Sequence, residues 1–177
     1  MKQEIIMAGF GGQGIMAMGR LLAYTGMMEG KEVSWMPSYG PEMRGGTANC
    51  TVIVSDKRIA SPITTTPDVC IVMNLPSLEK FAPMVKPGGL LIINSSLIEK
   101  ECERTDIEIL KVPCNDIANE LGSSKVLNMV ALGAYIQKTK ILPFESVIKA
   151  MKKAFAGKEK FIPLNEAALK KGAELVK

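Results

Sequence analysis

The chain has 177 residues, 47% of them hydrophobic, and a net charge of +4 at neutral pH, which excludes a disordered or low-complexity protein and predicts one globular domain. It contains no histidine, so a Ser–His–Asp or Cys–His mechanism carried by this chain alone is excluded. The four cysteines, Cys50, Cys70, Cys102 and Cys114, are too scattered to predict a zinc or iron–sulfur site.

Strands and helices alternate along most of the chain. Apolar and β-branched runs predict strands at residues 3–8, 32–36, 47–55, 69–74, 90–94 and 107–112. Helical periodicity predicts helices at residues 15–29, 77–85, 115–121, 126–138, 144–155 and 164–176. The strand at 47–55 is expected to turn at Asp56 and Lys57 and to pair back with residues 58–60 as a hairpin.

This order of elements predicts an α/β fold and a single domain over residues 1–177. We expect three α/β/α layers around a Rossmann-like mixed sheet that is mostly parallel and contains one hairpin. The helix at 126–138 is apolar nearly all round and should be buried.

The hydropathy and charge of the whole chain indicate where the protein is located and which partners it has. No apolar run approaches the roughly 18 residues of a membrane span, and the first residues lack the features of a signal peptide. We therefore expect a cytoplasmic protein with reduced thiols and no membrane contact. Residues 125–177 carry eleven Lys against four Glu, which indicates a solvated helix face, an acidic partner or nucleic acid; we favour the solvated face and expect no nucleic acid.

A glycine-rich loop follows the first strand. Gly9, Gly11 and Gly14 satisfy G-x-G-x-x-G between a strand and a helix, a context that favours phosphate binding at the helix N-terminus. A dinucleotide site also needs an acidic residue at the end of the second strand, where Pro37 and Ser38 stand instead. The alternatives are a turn for close strand–helix packing and a site for another phosphate, such as that of coenzyme A. Gly12 and Gln13 are unusual for a dinucleotide loop, and Gln13 could bond to a ligand or a neighbouring chain.

The segment SYGPEMRGG, residues 38–46, is a second polar loop bounded by glycines. Arg44 could bind a carboxylate or phosphate through two parallel hydrogen bonds. The alternative is an internal Glu42–Arg44 pair that only shapes the turn. Tyr39 adds an aromatic side chain to the same segment.

Together, GFGGQG at residues 9–14 and YGPEMRGG at residues 39–46 resemble the gamma subunit of 2-oxoacid:ferredoxin oxidoreductases. The resemblance covers nearly the whole chain. It also includes Ser55-Asp56, Ile59, Ser61-Pro62, Pro67-Asp68, Asn128, Gly133, Asn165 and Gly172.

The resemblance implies a subunit of an enzyme that oxidatively decarboxylates a 2-oxoacid with coenzyme A, giving acyl-CoA, CO2 and reduced ferredoxin. It implies thiamine diphosphate and iron–sulfur clusters in partner chains, namely thiamine-binding alpha and beta subunits and a ferredoxin-like delta subunit. By itself this chain would bind no cofactor or metal and supply no catalytic residue, although coenzyme A could touch it. The loop variant resembles the 2-oxoglutarate type, which we favour, and the branched-chain type; the pyruvate type is a further alternative.

Three groups of residues receive expected roles. Gly9, Gly11, Gly12, Gln13 and Gly14 would form a backbone cradle for a coenzyme A phosphate or a partner loop. Tyr39, Glu42 and Arg44 would form an interface loop. Asn128 should satisfy backbone groups in a buried region.

Two other functions stay open at this point. One is a free-standing Rossmann-like nucleotide-binding protein, and the other is an assembly subunit without a ligand. The isolated chain could also form a homodimer through its exposed interface.

Overall fold

The computed structural model describes residues 1–40 and 46–176. Its strands are β1 (Lys2–Phe10), β2 (Glu32–Tyr39), β3 (Thr47–Ser55), β4 (Val69–Val72), β5 (Leu90–Asn94) and β6 (Glu108–Val112). Its α-helices are α1 (Ile15–Met28), α2 (Leu75–Phe81), α3 (Cys114–Glu120), α4 (Leu127–Thr139), α5 (Phe144–Ala154) and α6 (Ile162–Glu174). Short 3₁₀ turns occur at Ala82–Met84, Ser124–Val126 and Glu159–Phe161.

The six strands form one mixed sheet in the order β2-β3-β1-β4-β5-β6. Strands β1, β4, β5 and β6 are parallel neighbours, and β3 is antiparallel to both β1 and β2. Since β1 and β2 both run opposite to β3, they end at the same edge of the sheet. The predicted single-domain α/β fold with a mostly parallel mixed sheet is confirmed.

The position of the predicted hairpin is wrong. Strand β3 pairs with β2, with Glu32 opposite Ser55 and Tyr39 opposite Ala48, and residues 58–60 form no strand. Strand β2 continues three residues past its predicted end because it lies at the edge of the sheet, where Pro37 is tolerated without an N–H. At the other end of β3, Lys57 N donates to Ser55 Oγ at 3.0 Å, and this turn leads the chain away from the sheet.

Alternate residues of each strand face two hydrophobic cores of unequal size, as the pleat of a strand requires. Ile5 and Met7 of β1 belong to the larger core, which α1, α4, α5 and α6 cover. Ile6 and Ala8 face the smaller core beneath α2. The molecule therefore has three layers, with most of its helical mass on one face.

Helices α4 and α6 cross at unusually short range. A Cβ atom at Gly133 would lie 2.0 Å from Leu169 O, and one at Gly172 would lie 1.9 Å from Val130 O. Every residue of α4 from Leu127 to Ile136 is buried, which confirms the predicted burial. Backbone packing against backbone fixes this pair of helices.

Helix α2 begins two residues earlier than predicted. Asn74 lies at the N-cap, where its Oδ1 accepts a hydrogen bond from Ser77 N at 2.9 Å, the usual role of Asn at this position. Across the described ranges, the helices are all too short or too polar to cross a lipid bilayer.

Candidate functional site: two loops at the carboxyl edge of the sheet

The two polar loops found in the sequence meet at one edge of the sheet. Gly11 N donates to Gly46 O at 2.9 Å, and Gly40 N donates to Thr47 O at 2.7 Å. The first bond joins the loop after β1 directly to the loop between β2 and β3. Glu42 and Arg44 lie outside the described residues, so their predicted roles stay predictions.

The side chain of Gln13 stabilises the first loop from within. Its Oε1 accepts from Phe10 N at 2.7 Å, and its Nε2 donates to Met73 O at 3.2 Å. This position explains Gly9, because a Cβ there would lie 2.5 Å from Gln13 Oε1. Gln13 was expected to bond to a ligand or a neighbouring chain, whereas here both polar atoms of its amide bond to the chain's own backbone.

Gly14 connects the loop to the helical layer. Its φ of 73° is in the left-handed region, which favours glycine. Asn128 Nδ2 donates to Gly14 O at 3.1 Å, and Asn128 Oδ1 accepts from Met129 N at 3.0 Å. The prediction that Asn128 satisfies backbone groups in a buried region is therefore confirmed.

The N-terminus of α1 opens into the loop without a side-chain cap. Gly14 occupies the N-cap, has no side chain, and leaves the first turn of the helix without a capping hydrogen bond. The first N–H groups of a helix have no partner within it and lie at the positive end of its dipole. Gly11 and Gly12 are exposed beside them, so an anion could approach backbone N–H groups here.

Apolar and aromatic side chains stand exposed around the loops. Tyr39 at the end of β2 is 70% exposed, and Phe10 and Met36 are each 37% exposed. Aromatic residues are enriched in protein interfaces because they bury large areas with few rotatable bonds. Tyr39 was predicted in an interface loop but is the last residue of β2, and its role in an interface stays a prediction.

A group of buried amides at the same edge was missed from the sequence. Asn94 Nδ2 donates to Asn115 Oδ1 at 2.8 Å and to Met73 O at 3.3 Å, while its Oδ1 accepts from Cys114 N at 3.1 Å. Asn74 Nδ2 is buried without a hydrogen-bond acceptor among the described residues. The available signal was position, since Asn74 and Asn94 each stand at the carboxyl end of an apolar parallel strand, where such ends converge.

The topology argues against a dinucleotide at the glycine loop. In dinucleotide-binding folds the acidic residue that holds the ribose ends a parallel strand beside β1. Here the neighbour of β1 on that side is the antiparallel β3, and β2 is one strand further away. The sheet therefore lacks a parallel strand on that side of β1 to position the acidic residue, and the sequence lacks the acidic residue itself.

Three of the four cysteine thiols are buried in the core. Burial raises the pKa of Cys50, Cys70 and Cys114 to about 12, so these groups are protonated at neutral pH. Cys102 is partly exposed. Within residues 1–40 and 46–176, no three His, Cys, Asp or Glu side chains are grouped so that they could hold a metal ion.

Comparison with known proteins places the chain among oxidoreductase subunits. The family model for pyruvate ferredoxin/flavodoxin oxidoreductase matches residues 4–175. Ketoisovalerate oxidoreductase subunit VorA of Methanothermobacter thermautotrophicus is 41% identical over 172 residues, which are 97% of this chain but only 36% of that protein. The chain thus spans about a third of the length of this relative. 2-Oxoglutarate synthase subunit KorC of Methanocaldococcus jannaschii is 34% identical over 154 residues, covering 85% of this chain and 82% of that one.

Two solved structures share the fold. The gamma subunit of the keto/oxoacid ferredoxin oxidoreductase from Geobacter sulfurreducens has a TM-score of 0.88 and 30% identity, covering 98% of this chain and 95% of that one. The 2-oxoglutarate:ferredoxin oxidoreductase from Magnetococcus marinus, described with 2-oxoglutarate, coenzyme A and succinyl-CoA bound, has a TM-score of 0.91 and 26% identity, covering 98% of this chain and 31% of that one. The chain therefore belongs to the pyruvate ferredoxin/flavodoxin oxidoreductase family, and its resemblance to the gamma subunits of 2-oxoacid:ferredoxin oxidoreductases is confirmed.

Proposed function

We propose that the chain is the gamma-type subunit of a multichain 2-oxoacid:ferredoxin oxidoreductase in the cytoplasm. The complex would oxidatively decarboxylate a 2-oxoacid with coenzyme A, giving acyl-CoA, CO2 and reduced ferredoxin. The observation that carries the proposal is the Gly11 N–Gly46 O hydrogen bond, which joins the two family loops at the carboxyl edge of the sheet. Ligands of open α/β sheets bind outside this edge.

The reacting groups are assigned to partner chains. Three of the four thiols are buried and protonated, and the cysteines share no close spacing, so this set does not fit an iron–sulfur cluster. We place thiamine diphosphate in alpha and beta subunits and the clusters in the partner chains, including a ferredoxin-like delta subunit. This chain contributes shape and hydrogen-bond donors to the assembly.

The glycine loop is proposed to hold an anionic part of coenzyme A or of a partner chain. The backbone of Gly11 and Gly12 is exposed beside the uncapped N-terminus of α1, which favours negative charge. Gln13 and Asn128 keep the loop in place through their hydrogen bonds to Phe10, Met73 and Gly14. Glu42 and Arg44 would complete the surface from the second loop.

Contact with the thiamine-binding subunits is proposed through the same edge. Tyr39, Phe10 and Met36 provide exposed apolar area around the two loops. In the assembled enzyme this area would be removed from water, whereas in the isolated chain it could support a homodimer.

The substrate is proposed from the loop variant. YGPEMRGG at residues 39–46 favours 2-oxoglutarate. Ketoisovalerate is the second candidate, because the relative named for it is 41% identical to this chain and the relative named for 2-oxoglutarate is 34% identical.

Co-purification of the chain with its partners tests the proposal. The complex should contain thiamine-binding and cluster-binding chains and should form acyl-CoA with 2-oxoglutarate faster than with 2-oxoisovalerate or pyruvate. A preference for 2-oxoisovalerate would select the second candidate. Oxidation of a 2-oxoacid by this chain alone would overturn the assignment of the reacting groups.

Substitutions in the two loops separate coenzyme A binding from assembly. Arg44→Ala should lower acyl-CoA formation about tenfold or more, as expected for the loss of a charge-assisted contact, without unfolding the isolated chain. Arg58→Ala is the matched control, because Arg58 is exposed outside both loops. Wild-type turnover of the Arg44→Ala complex would contradict the role of Arg44.

A bulky residue at Gly11 distinguishes the assembly-only function. If Gly11→Trp weakens complex formation and leaves the KM for coenzyme A unchanged in the complex that remains, the loop is a docking surface alone. A raised KM for coenzyme A would instead support contact with the cofactor.

A further inference from the structure

A second concave site lies in the helical layer, apart from both loops. A half-open cavity of about 590 Å³ is bordered by α1, the start of α4 and the C-terminal end of α5. Its volume falls within the range of roughly 300–1,000 Å³ typical of small-molecule sites. None of its lining residues belongs to the Gly9–Gly14 or Tyr39–Gly46 segment.

The interior of the cavity is apolar. Leu21 of α1, Met129 of α4 and Met151 of α5 are buried and form part of its wall. Tyr24 and Phe155 add aromatic rings to the wall. Methionine side chains are flexible and polarisable, so such a surface accommodates apolar groups of varied shape.

The rest of the lining is cationic. Arg20, Lys153 and Lys158 line the cavity, and no Asp or Glu does. Across residues 1–40 and 46–176 these three cations form no ion pair. Lys152, which directly precedes Lys153 in α5, differs because it pairs with Glu166 at 3.2 Å. Glu159, next to Lys158, is held in a hydrogen bond to Gly157 N at 2.8 Å.

The fold accounts for only one of the three cations. Lys153 is in the last turn of α5, where a positive side chain favourably opposes the negative end of the helix dipole. Arg20 lies in the middle of α1, and Lys158 follows α5, so neither gains from a helix terminus. Three like charges around one cavity repel each other, and a bound anion would offset that repulsion.

We propose that this cavity binds an amphipathic organic anion, meaning an acyl or aryl group that carries a carboxylate, phosphate or sulfonate. The apolar body would occupy the space between Leu21, Met129 and Met151, and the anionic group would bind to Arg20 and the two lysines. A bare inorganic anion would leave the apolar wall uncovered, and a neutral hydrocarbon would leave the cations without a partner. This site is independent of the function proposed for the loops.

A pair of fluorescent probes tests the site on the full chain. The anionic probe is anilinonaphthalene sulfonate, and its neutral counterpart is N-phenylnaphthylamine. The sulfonate should bind saturably, at one molecule per chain. Arg20→Gln should weaken its binding about tenfold, as expected for the loss of one charge-assisted contact, and should leave the neutral probe unaffected. Lys149→Gln is the matched control, because Lys149 is exposed on α5 and is not among the lining residues.

A cavity-filling substitution separates this site from non-specific surface binding. Ala154 lines the cavity and is exposed, so Ala154→Trp should block both probes without disturbing the core, as judged by an unchanged melting temperature. Ala156→Trp, an exposed position outside the lining, should leave binding intact. Equal effects of the two tryptophans would overturn the proposal, as would Arg20→Gln binding the sulfonate like the unmodified chain.

Methionine methyl NMR locates the bound probe. The methyl groups of Met129 and Met151 should shift on titration, whereas that of Met84, which packs against the smaller core on the opposite face of the sheet, should not. If the assembled complex excludes the anion that the isolated chain binds, the cavity is covered by a partner chain and the small-molecule site is overturned. Retention of the sulfonate by the complex supports it.

Discussion

Glycines serve opposite purposes in two regions of this molecule. At the α4–α6 crossing, Gly133 and Gly172 allow two helix backbones to touch, since an added Cβ would lie 2.0 Å or less from a backbone oxygen. In the loop after β1, an added Cβ at Gly12 would meet nothing within 4 Å, and one at Gly11 would meet only Gly46 O at 3.8 Å. Both regions depend on glycine, yet the space beside the first is filled by the chain itself and the space beside the second is open.

The glycines of the helix crossing are therefore expected to matter for stability, and those of the loop after β1 for recognition of another molecule. Where other atoms of the protein already occupy the position that a Cβ would take, glycine is required for packing. A glycine beside open space leaves its backbone accessible to another molecule. Substitutions at the two regions should therefore affect different measurements, and five experiments examine how far the contrast holds.

The largest effect is expected at the helix crossing. Gly172→Val should lower the free energy of unfolding by about 4 kcal/mol, because the new side chain must push α4 and α6 apart. That loss corresponds to a fall in melting temperature of roughly 10 °C for a chain of this size. Lys171→Val is the control, since Lys171 is exposed on the same helix. Equal melting temperatures for the two variants would show that the crossing adapts.

Gly14 should be intermediate, because it combines a left-handed φ of 73° with a Cβ position 2.4 Å from Asn128 Nδ2. Gly14→Ala should cost about 2 kcal/mol in the free energy of unfolding. Asn128→Ala should cost about 1–3 kcal/mol, because it leaves Gly14 O without its side-chain donor. The double variant should lose less than the sum, since removing Asn128 also removes the clash. Strict additivity in urea unfolding would mean that the two residues act independently.

The adjacent Gly11 and Gly12 form a matched pair with a smaller effect. Gly12 has a φ of 94°, so Gly12→Ala should cost roughly 1 kcal/mol from backbone conformation alone. Gly11 lacks a positive φ, so Gly11→Ala should change stability by less than about 0.5 kcal/mol. Chemical denaturation measures both values. A large loss of stability at Gly11 would remove the distinction between the open loop and the packed crossing.

The last effect concerns the buried thiols and is absent at neutral pH. Because burial raises the pKa of Cys50, Cys70 and Cys114 to about 12, the native state keeps protons that the unfolded state releases above about pH 8.5. Their contribution to stability is complete below that pH and is lost as the pH rises toward the native values. Urea midpoints measured from neutral to alkaline pH should therefore fall above about pH 8.5.

Thiol labelling then shows which region opens. At neutral pH an aromatic disulfide reagent should modify the partly exposed Cys102 rapidly and the three buried thiols slowly. In Gly172→Val, Cys114, which belongs to the same core as α4 and α6, should become reactive before Cys70, which faces the other core. Simultaneous exposure of both would indicate that the two layers unfold together.

Much of the fold could be predicted from local signals. Strand β5 and the residues of β3 were predicted at their observed bounds, because continuous apolar and β-branched runs define buried strands. The partner of β3 could not be predicted in this way. Residues 58–60 are nearer in sequence, but β2 provides eight paired positions where residues 58–60 would provide three. Pairing at a distance depends on the total number of hydrogen bonds and packed side chains, which no single segment reveals.

The candidate site could likewise be predicted from the sequence only in part. Gly9, Gly11 and Gly14 were identified by their spacing. Gly11 and Gly14 follow β1 as predicted, whereas Gly9 was expected in the loop and instead lies within β1, paired with Ala48. The inward role of Gln13 was not foreseen, because its acceptor is Met73 O, 60 residues away. Asn74 and Asn94 were missed for the same reason, since amides become a group only when the ends of parallel strands are brought together.

The sequence by itself determined the order of strands and helices and the family loops, because these depend on residue type and spacing. Only the tertiary structure decided which strands pair, that the two loops meet through Gly11 and Gly46, and that Arg20, Lys153 and Lys158 line one cavity. The physical reason is that contacts between distant segments are selected by the packing of the whole chain, and the conformational preferences of a short segment do not determine them.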